Sequence, residues 1–489
     1  MKSILTFLII ILSVNTFSQD FFDWGTGAGK MGLSYENIIS DSESGVIALA
    51  SQSELSSWYY NPSFIQADGE RSRQSSLHQN EEASLVLRFD STGQLKWSRQ
   101  IPNNQAEILQ LAVGADNKSY LVIHILTWDY NEEDQPYGYC ATFARNTFKP
   151  GLYIFTLSPD GDLESTLSIK DISNPERVHI TDFFLYNNSQ FVLGGFLEDA
   201  GKLVNHLPHS TFNGGGDFVM NVDKNGHVLW ADMVCYRLNE HSGLSLSRQM
   251  DIAPDGTIYL AGTYVEGAIF SNGKQTLVPK KYGDQSYRNL EVYVVAYTKK
   301  GEIKWIRTNE SISEFQRFKA TNKGVFIAHK VHEPKSFGKK IKTASKSTVL
   351  LTHLNKRGKK KWDILSKMDN FKAIELNANG HLIVTGNYRI KHKNREKVHY
   401  FGDFEMTNRH NTFITQIDFK SNILSYKSDY FGRSKEPAHL TTNKNGDSFI
   451  AFEVFCTLSR NLNTIAKNLP DLDCRGSVAI LGKLISFEK

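Results

Sequence analysis

The stretch "VYVVAYTKKGEIKWIR", Val292–Arg307, reads as an apolar run, a polar turn holding Gly301, and a second run carrying Trp305. Near-copies are "LVLRFDSTGQLKWSR" (Leu85–Arg99), "FVMNVDKNGHVLWAD" (Phe218–Asp232) and "VLLTHLNKRGKKKWDI" (Val349–Ile364). β-Branched and aromatic residues favour extended chain, and Gly accepts the positive φ of a tight turn. Each copy is therefore a hairpin. Weaker copies surround Gly161 and Asn422, so the six turns at Gly93, Gly161, Gly226, Gly301, Gly358 and Asn422 lie 68, 65, 75, 57 and 64 residues apart. Such a period marks a repeat architecture, longer than the ~40–45 residues of compact propeller repeats because the middle loops are long.

A second element precedes each hairpin. Its clearest copies are "QMDIAPDGTIYLAGTY" (Gln249–Tyr264), "AIELNANGHLIVTGNY" (Ala373–Tyr388) and "HLTTNKNGDSFIAFEV" (His439–Val454). Weaker ones start at Glu36, Leu109, Asp182 and Arg317, which makes seven. Each unit thus reads strand, turn, strand, variable loop, strand, Gly turn, strand. Four antiparallel strands repeated seven times describe an all-β fold, a single seven-bladed β-propeller. The seventh unit has a third strand, "SVAILGK" (Ser477–Lys483), but no Trp-bearing fourth. The segment "DFFDWGTG" (Asp20–Gly27) is expected to supply it, closing the ring and covering an otherwise open edge. Trp recurs seven positions after the start of the turn, at Trp97, Trp230, Trp305 and Trp362, with Ser165 and Ser425 in two repeats. A fixed place in the repeat points to packing between blades rather than to a row of sugar-stacking rings.

The first residues, "MKSILTFLIIILSVNTFSQ", carry one early Lys2, an apolar run from Ile4 to Leu12, and Thr16 and Ser18 before a cut ahead of Gln19. That pattern is a secretory signal peptide, residues 1–18, leaving 19–489 as the propeller domain. No other segment approaches the ~18 consecutive apolar residues of a membrane-spanning helix. In a secreted chain cysteines can form disulfides. Cys456 and Cys474 bracket one loop of the last repeat and are the expected pair, whereas Cys140 and Cys235 could pair or stay free.

The unit "DIAPDGTIYLAGTYVEGAIFSNG" followed by "EVYVVAYTKKGEIKW", together with "GGGDFVMNVDKNGHVLW" (Gly214–Trp230), resembles the SBBP-type repeat of secreted bacterial β-propellers. That repeat runs D-x-x-G-x-x-Y-x-x-G, a loop with Phe and Gly, then D-x-F-V-x-x-x-D-x-x-G-x-x-x-W. The resemblance covers nearly all of the mature chain. It implies a propeller and an extracytoplasmic location, secreted, periplasmic or at the outer surface; it implies no reaction, since propellers host many functions.

A search for chemistry finds no hydrolase, zincin, P-loop or dinucleotide motif. The turns "SPDGD", "APDGT" and "DKNGH" lack the alternating acidic ligands and closing Glu of a calcium loop and read as hairpin turns. His206 and His209 flank Pro208, which disfavours a helical metal pair. His124 lies on an apolar strand and reads as a core histidine. No metal or cofactor is expected. Charge is the strongest signal: from Lys330 to His399 there are 18 lysines and arginines against five acidic residues, a net of +13 in a chain that totals only +4. The acidic loop "WDYNEED" (Trp128–Asp134) lies in another blade.

The sequence therefore reads as a monomeric binding or scaffold protein whose loops Ser51–Glu82, Thr127–Gly151, Leu197–Asp217 and Tyr264–Glu291 form the recognition surface. The expected partner is an acidic polysaccharide or a cell-surface protein, met by Lys339, Lys340, Lys342, Arg389, Lys391 and Lys393. Nucleic acid is not expected, because the basic stretch lacks interleaved stacking aromatics. The alternative is a polysaccharide lyase acting on a uronate-containing glycan. It would need a proton acceptor beside a charge neutraliser, and Tyr388, Arg389, His392 and His399 form the cluster that could supply them.

Overall fold

The computed structural model describes residues 22–29, 33–43, 45–52, 63–65, 71–73, 83–102, 106–125, 141–143, 146–172, 175–186, 189–197, 216–235, 248–264, 268–270, 276–277, 290–309, 313–331, 335–336, 339–340, 348–366, 370–387, 399–401, 404–406, 412–429, 439–443, 445–456 and 476–484. The signal-peptide reading, residues 1–18, lies outside them. The chain is all-β and forms the seven four-stranded antiparallel blades of a β-propeller. It divides into two compact units, residues 1–103 with 375–385 and 409–489, and residues 104–374 with 386–408.

In the first unit, blade 1 runs Leu33–Ser40, Val46–Gln52, Ala83–Phe89 and Leu95–Pro102. Blade 7 runs His439–Thr442, Ser448–Cys456 and Gly476–Leu484, and its fourth strand is the N-terminal Phe22–Gly29. That strand pairs antiparallel with Gly476–Leu484, Trp24 opposite Lys483 and Ala28 opposite Ala479. The two ends of the chain thus share one sheet, as the missing fourth strand of the last repeat required. Blades 7 and 1 share one apolar cluster, in which Tyr35, Ala48, Leu87 and Phe89 meet Phe449, Ala451 and Leu481. Blade 1 also buries an ion pair: Arg88 holds Asp41 at 2.9 Å, and Asp41 accepts the Gly45 N–H at 2.7 Å. A first-turn aspartate is so tied to the third strand.

The second unit carries blade 2 (Ala106–Val113, Ser119–Ile125, Gly151–Leu157, Leu163–Ser168) and blade 3 (Val178–Tyr186, Gln190–Leu197, Gly216–Asp223, Val228–Cys235). Blade 4 follows as Arg248–Ile252, Ile258–Tyr264, Glu291–Tyr297 and Ile303–Thr308. Blade 5 is Ser313–Thr321, Gly324–Val331, Thr348–Asn355 and Lys360–Ser366. The sheet of blade 6 is ordered Asn370–Leu376, Leu382–Asn387, Thr412–Ile417 and Ile423–Asp429. Second and third strands are buried on both faces, Ile258–Tyr264 and Glu291–Tyr297 throughout. Their near-continuous apolar runs follow from that, since each face packs on a different neighbour: Leu260, Tyr293 and Val295 toward blade 3, Tyr259, Ala261 and Val294 toward blade 5.

The glycine turns and the tryptophans explain one another. Each Gly turn is a three-residue loop in which Gly donates back to the residue that begins it, Gly301 to Thr298 and Gly358 to Asn355. Five of the six outer turns hold Gly at φ 69–84°; in the sixth the left-handed residue is Ser421 (φ 75°), one position before the expected Asn422. The indole of Trp230 on blade 3 lies flat on the Gly301 turn of blade 4, where a Cβ would fall 2.5 Å from the ring, and its Nε1 donates to the Lys299 carbonyl at 3.2 Å. Trp305 repeats this on the Gly358 turn of blade 5, donating to the Lys356 carbonyl at 2.7 Å. These tryptophans are half-buried fourth-strand side chains packed against the blade interfaces, not fully enclosed core. Where blade 2 has Ser165 in place of Trp, the Gly226 turn settles on backbone instead: Lys170 N–H donates to the Gly226 carbonyl at 2.7 Å.

Gly301→Ala should destabilise the fold by about 2–4 kcal/mol, because it combines a positive φ with a collision against an indole. Trp230→Ala in the same chain removes the collision but not the φ strain. The double-mutant cycle, measured by denaturant unfolding, should therefore show the pair costing less than the sum of the singles. Strict additivity would show that the ring and the turn do not interact.

Candidate functional site

The long loops are not all free connections. Three of them send a short hairpin onto the fourth strand of the preceding blade. Ser63–Ile65 with Arg71–Arg73 extends blade 7, Ala268–Phe270 with Thr276–Leu277 extends blade 3, and His399–Phe401 with Phe404–Met406 extends blade 5. Two further hairpins, Ala141–Phe143 with Asn146–Phe148 and Lys335–Ser336 with Lys339–Lys340, stand as separate two-stranded ribbons. Part of the expected recognition surface is thus spent as added strands, a feature legible only as the recurring loop Phe and Gly.

Of the expected basic residues, Lys339 and Lys340 form one arm of the second ribbon, with Lys340 directly opposite Lys335 and Lys339 opposite Ser336. Lys342, Arg389, Lys391 and Lys393 lie outside the described residues, as do Tyr388 and His392 of the lyase cluster; His399 opens an added strand opposite Met406. Cys456 ends the second strand of blade 7 opposite Gly476, and its expected partner Cys474 is outside the described residues, as are Cys140, His206 and His209. In two of the three metal-like turns a carboxylate serves the turn: Asp223 accepts the N–H groups of Asn225 and His227 at 2.8 and 2.9 Å, and Asp255 that of Thr257; in the third the Ser158 hydroxyl accepts the N–H groups of Asp160 and Asp162 at 3.2 and 3.0 Å. His124 is buried on the second strand of blade 2.

The side chains that are described divide the basic run of blade 5 into two kinds. Lys360 is enclosed and held by Asp363 at 2.6 Å, and Lys330 meets Glu314 at 3.7 Å. Asp363 in turn accepts from Thr352 at 2.7 Å, and Thr352 lies 3.0 Å from Nε2 of His329, so a hydrogen-bonded chain crosses three strands. Burial pushes His329 down to about 4, and His353, stacked on Phe326, likewise. By contrast Lys356, Arg357, Lys359 and Lys361 are exposed on the outer hairpin of the same blade, with Lys356 bridged to Asp255 of blade 4. Among the described side chains, the exposed charge of the basic run belongs to this hairpin.

A second polar cluster was missed in the sequence. The first strands of blades 3, 4 and 5 carry Asp182, then Arg248 and Asp251, then Arg317 and Lys319. Arg248 meets the fully buried Asp217 at 3.3 Å and lies 4.2 Å over the Phe196 ring; Lys319 meets Asp251 at 3.4 Å. Desolvation, only partly offset by hydrogen bonds from Thr181 and the Met250 N–H, pushes Asp182 up to about 7. Arg317 is lowered by burial and feels the charge of Asp182. Around this cluster buried tyrosines meet carboxylates, Tyr293 with Asp217 and Tyr264 with Glu291. The repeat motif contained the signal in part: Asp217 is the Asp of "DFV". Its partners, scattered over several blades, have no common spacing.

No family model matches this chain, and no curated protein does. Among solved structures it is similar to the Dos1 propeller, at 8% identity and a TM-score of 0.43, with 96% of each chain covered. It is also similar to an ulvan lyase described as a new polysaccharide lyase family, at 10% identity and TM-score 0.38, covering 88% of this chain and 92% of that one. A third is a europium-containing methanol dehydrogenase, at 9% identity and TM-score 0.35, covering 82% and 89%. No described helix is long and apolar enough to cross a membrane.

Because His329 stays neutral when folded to about 4 but titrates near 6.5 when unfolded, the unfolded state binds more protons between those values. Its stabilising share is complete above about 6.5 and lost as pH falls toward 4. In His329→Gln, which keeps a nitrogen for Thr352, the loss of stability between pH 7 and 4.5 should shrink by about 2–3 kcal/mol. Thermal unfolding across that range checks it, and parallel pH profiles would remove His329 as the cause.

Proposed function

We propose that this chain is an extracytoplasmic binding protein of the SBBP-type propeller class that holds an acidic polysaccharide on the basic hairpins of blade 5. The observation that carries this reading is the register of the lysine ribbon, which sets Lys335 directly opposite Lys340. Like charges at directly paired positions destabilise a two-stranded ribbon, and a bridging anion reverses that sign. The exposed Arg357, Lys359 and Lys361 stand at the other end of the same blade's third strand, Thr348–Asn355, and give a long polymer a second group of cations to reach. A repeating polyanion suits such a track because each successive charge adds a weak contact, and the sum is strongly salt-dependent. The cysteine pair Cys456–Cys474 belongs with this extracytoplasmic reading.

Affinity electrophoresis or calorimetry with uronate-rich and sulfated polysaccharides tests it. Binding should weaken steeply from low to high salt. The variant Lys339→Glu, Lys340→Glu, Arg357→Glu, Lys359→Glu should bind about tenfold or more weakly. Full retention of binding by that variant overturns the track. If the polymer instead accumulates unsaturated, ultraviolet-absorbing ends, the protein is a lyase rather than a binder.

A further inference from the structure

The three added hairpins obey one register. In blade 7 Ala28, four residues after Trp24, lies opposite Phe64. In blade 3 Val234, four after Trp230, lies opposite Phe270, and in blade 5 Ser366, four after Trp362, lies opposite Phe401. Each hairpin comes from the loop between the second and third strands of the following blade, and its first strand is the one that pairs.

Blade 4 carries the same edge signature, with Trp305 on its fourth strand and Asn309 four residues on. The following blade carries the same loop element. In "KSFGKK" Phe337 and Gly338 stand after the first strand of the lysine ribbon, as Phe401 and Gly402 do in "HYFGDF". The shared register puts Phe337 opposite Asn309. Yet among the described residues the ribbon pairs only with itself, and the outer edge of Ile303–Thr308 carries no added strand.

Charge separates this hairpin from the other three. The hairpin on blade 7 brings Arg71 and Arg73 to a fourth strand whose one charged residue is Asp23. Blade 3 receives uncharged strands, Ala268–Phe270 and Thr276–Leu277. Blade 5, with Lys360 and Lys361 on its fourth strand, receives a hairpin that carries Glu405. The lysine ribbon would instead bring Lys335, Lys339 and Lys340 to a strand that exposes Lys304 and Arg307. Like charges on adjacent strands oppose pairing, and lysine at a sheet edge is a common barrier to strand addition.

We propose that the outer edge of blade 4, Ile303–Thr308, is a strand-addition site, and that the lysine ribbon seats on it when an anionic polymer neutralises its lysines. Seating gives the unpaired backbone groups of that edge partners, as in other strand additions. It makes blade 4 six-stranded like blades 3, 5 and 7, with Lys339–Lys340 outermost. The class of polymer rests on the acidic-polysaccharide reading; the register and the charge pattern do not.

Hydrogen–deuterium exchange read by mass spectrometry on the mature protein tests this. The variant Lys335→Gln, Lys339→Gln, Lys340→Gln removes the repulsion with no polymer present. Exchange in its peptides spanning residues 303–309 and 335–340 should be about tenfold slower than in the unaltered protein. Adding Phe337→Gly to that variant should restore fast exchange. Dextran sulfate or polygalacturonate, added to the unaltered protein, should slow the same two peptides and leave Val228–Cys235, an edge already covered, unchanged. Fast exchange of the blade 4 edge in the neutral variant overturns the strand-addition site, whatever the polymers do. A polymer that binds without protecting that edge overturns its part in seating the ribbon. A protected neutral variant, with neither polymer bound by the unaltered protein, upholds the site and strikes the polysaccharide reading alone.

Discussion

The first strand of a propeller blade has one hydrogen-bonding edge with no strand beside it, and unpaired backbone N–H groups away from water are costly. Here side chains from the neighbouring blade take that edge. Asp182 of blade 3 accepts the Met250 N–H of blade 4. Gln249 and Asp251 of blade 4 accept the Phe318 and Ala320 N–H groups of blade 5 at 3.1 and 2.9 Å. Gln316 accepts the Phe371 N–H at 3.0 Å, and Thr441 of blade 7 accepts that of Ser40 in blade 1 at 3.2 Å. In these four pairs one blade finishes the hydrogen bonding of the next, so polar residues on these first strands are structural before they are anything else. The same requirement draws charge inward: a carboxylate that caps a strand is desolvated by the strand it caps. Burial pushes Asp182 up to about 7 at a point where the sheet needs an acceptor, and the hydrogen bonds it accepts offset that only in part.

At the opposite edge, the fourth strand, the solution is aromatic. An indole covers the glycine turn of the next blade and donates its one N–H to a turn carbonyl. The glycine is demanded twice, by its φ and by the ring above it, which is why Gly and Trp recur at fixed spacing. The device is dispensable where backbone can close the gap, as at Gly226 over blade 2.

This division of labour decides what could be read from the sequence. The blade count, the hairpin turns and the N-terminal strand in the last sheet were legible because they depend on local chemistry: repeated apolar runs, positive-φ glycines and a missing fourth strand. The role of Trp305 as an inter-blade contact was legible from its fixed place, although its partner, Gly358 of the next repeat, was not. The loop hairpins were hidden because they pair with a strand of a different repeat. The Asp182–Arg248–Arg317 cluster was hidden for a stronger reason. Its members lie on three blades at unrelated spacings, and each occupies a position that elsewhere in the repeat holds Asn or Gln for a structural hydrogen bond.

Charge counted along the chain needed a different correction. The run from Lys330 to His399 carries a net of +13, yet Lys360 is enclosed by Asp363 and Lys356 is bridged to Asp255. A lysine that balances a carboxylate within the sheet contributes little to the field a distant polymer feels. Among the described side chains of the run, Arg357, Lys359 and Lys361 on the outer hairpin stay exposed. Arg317 is the inverse case: one cation, invisible in a count of net charge, held by carbonyls in a poorly solvated place. Field strength at a binding group rises as screening falls. A single fixed guanidinium among the first strands is therefore screened less than the solvated lysines of the outer hairpin.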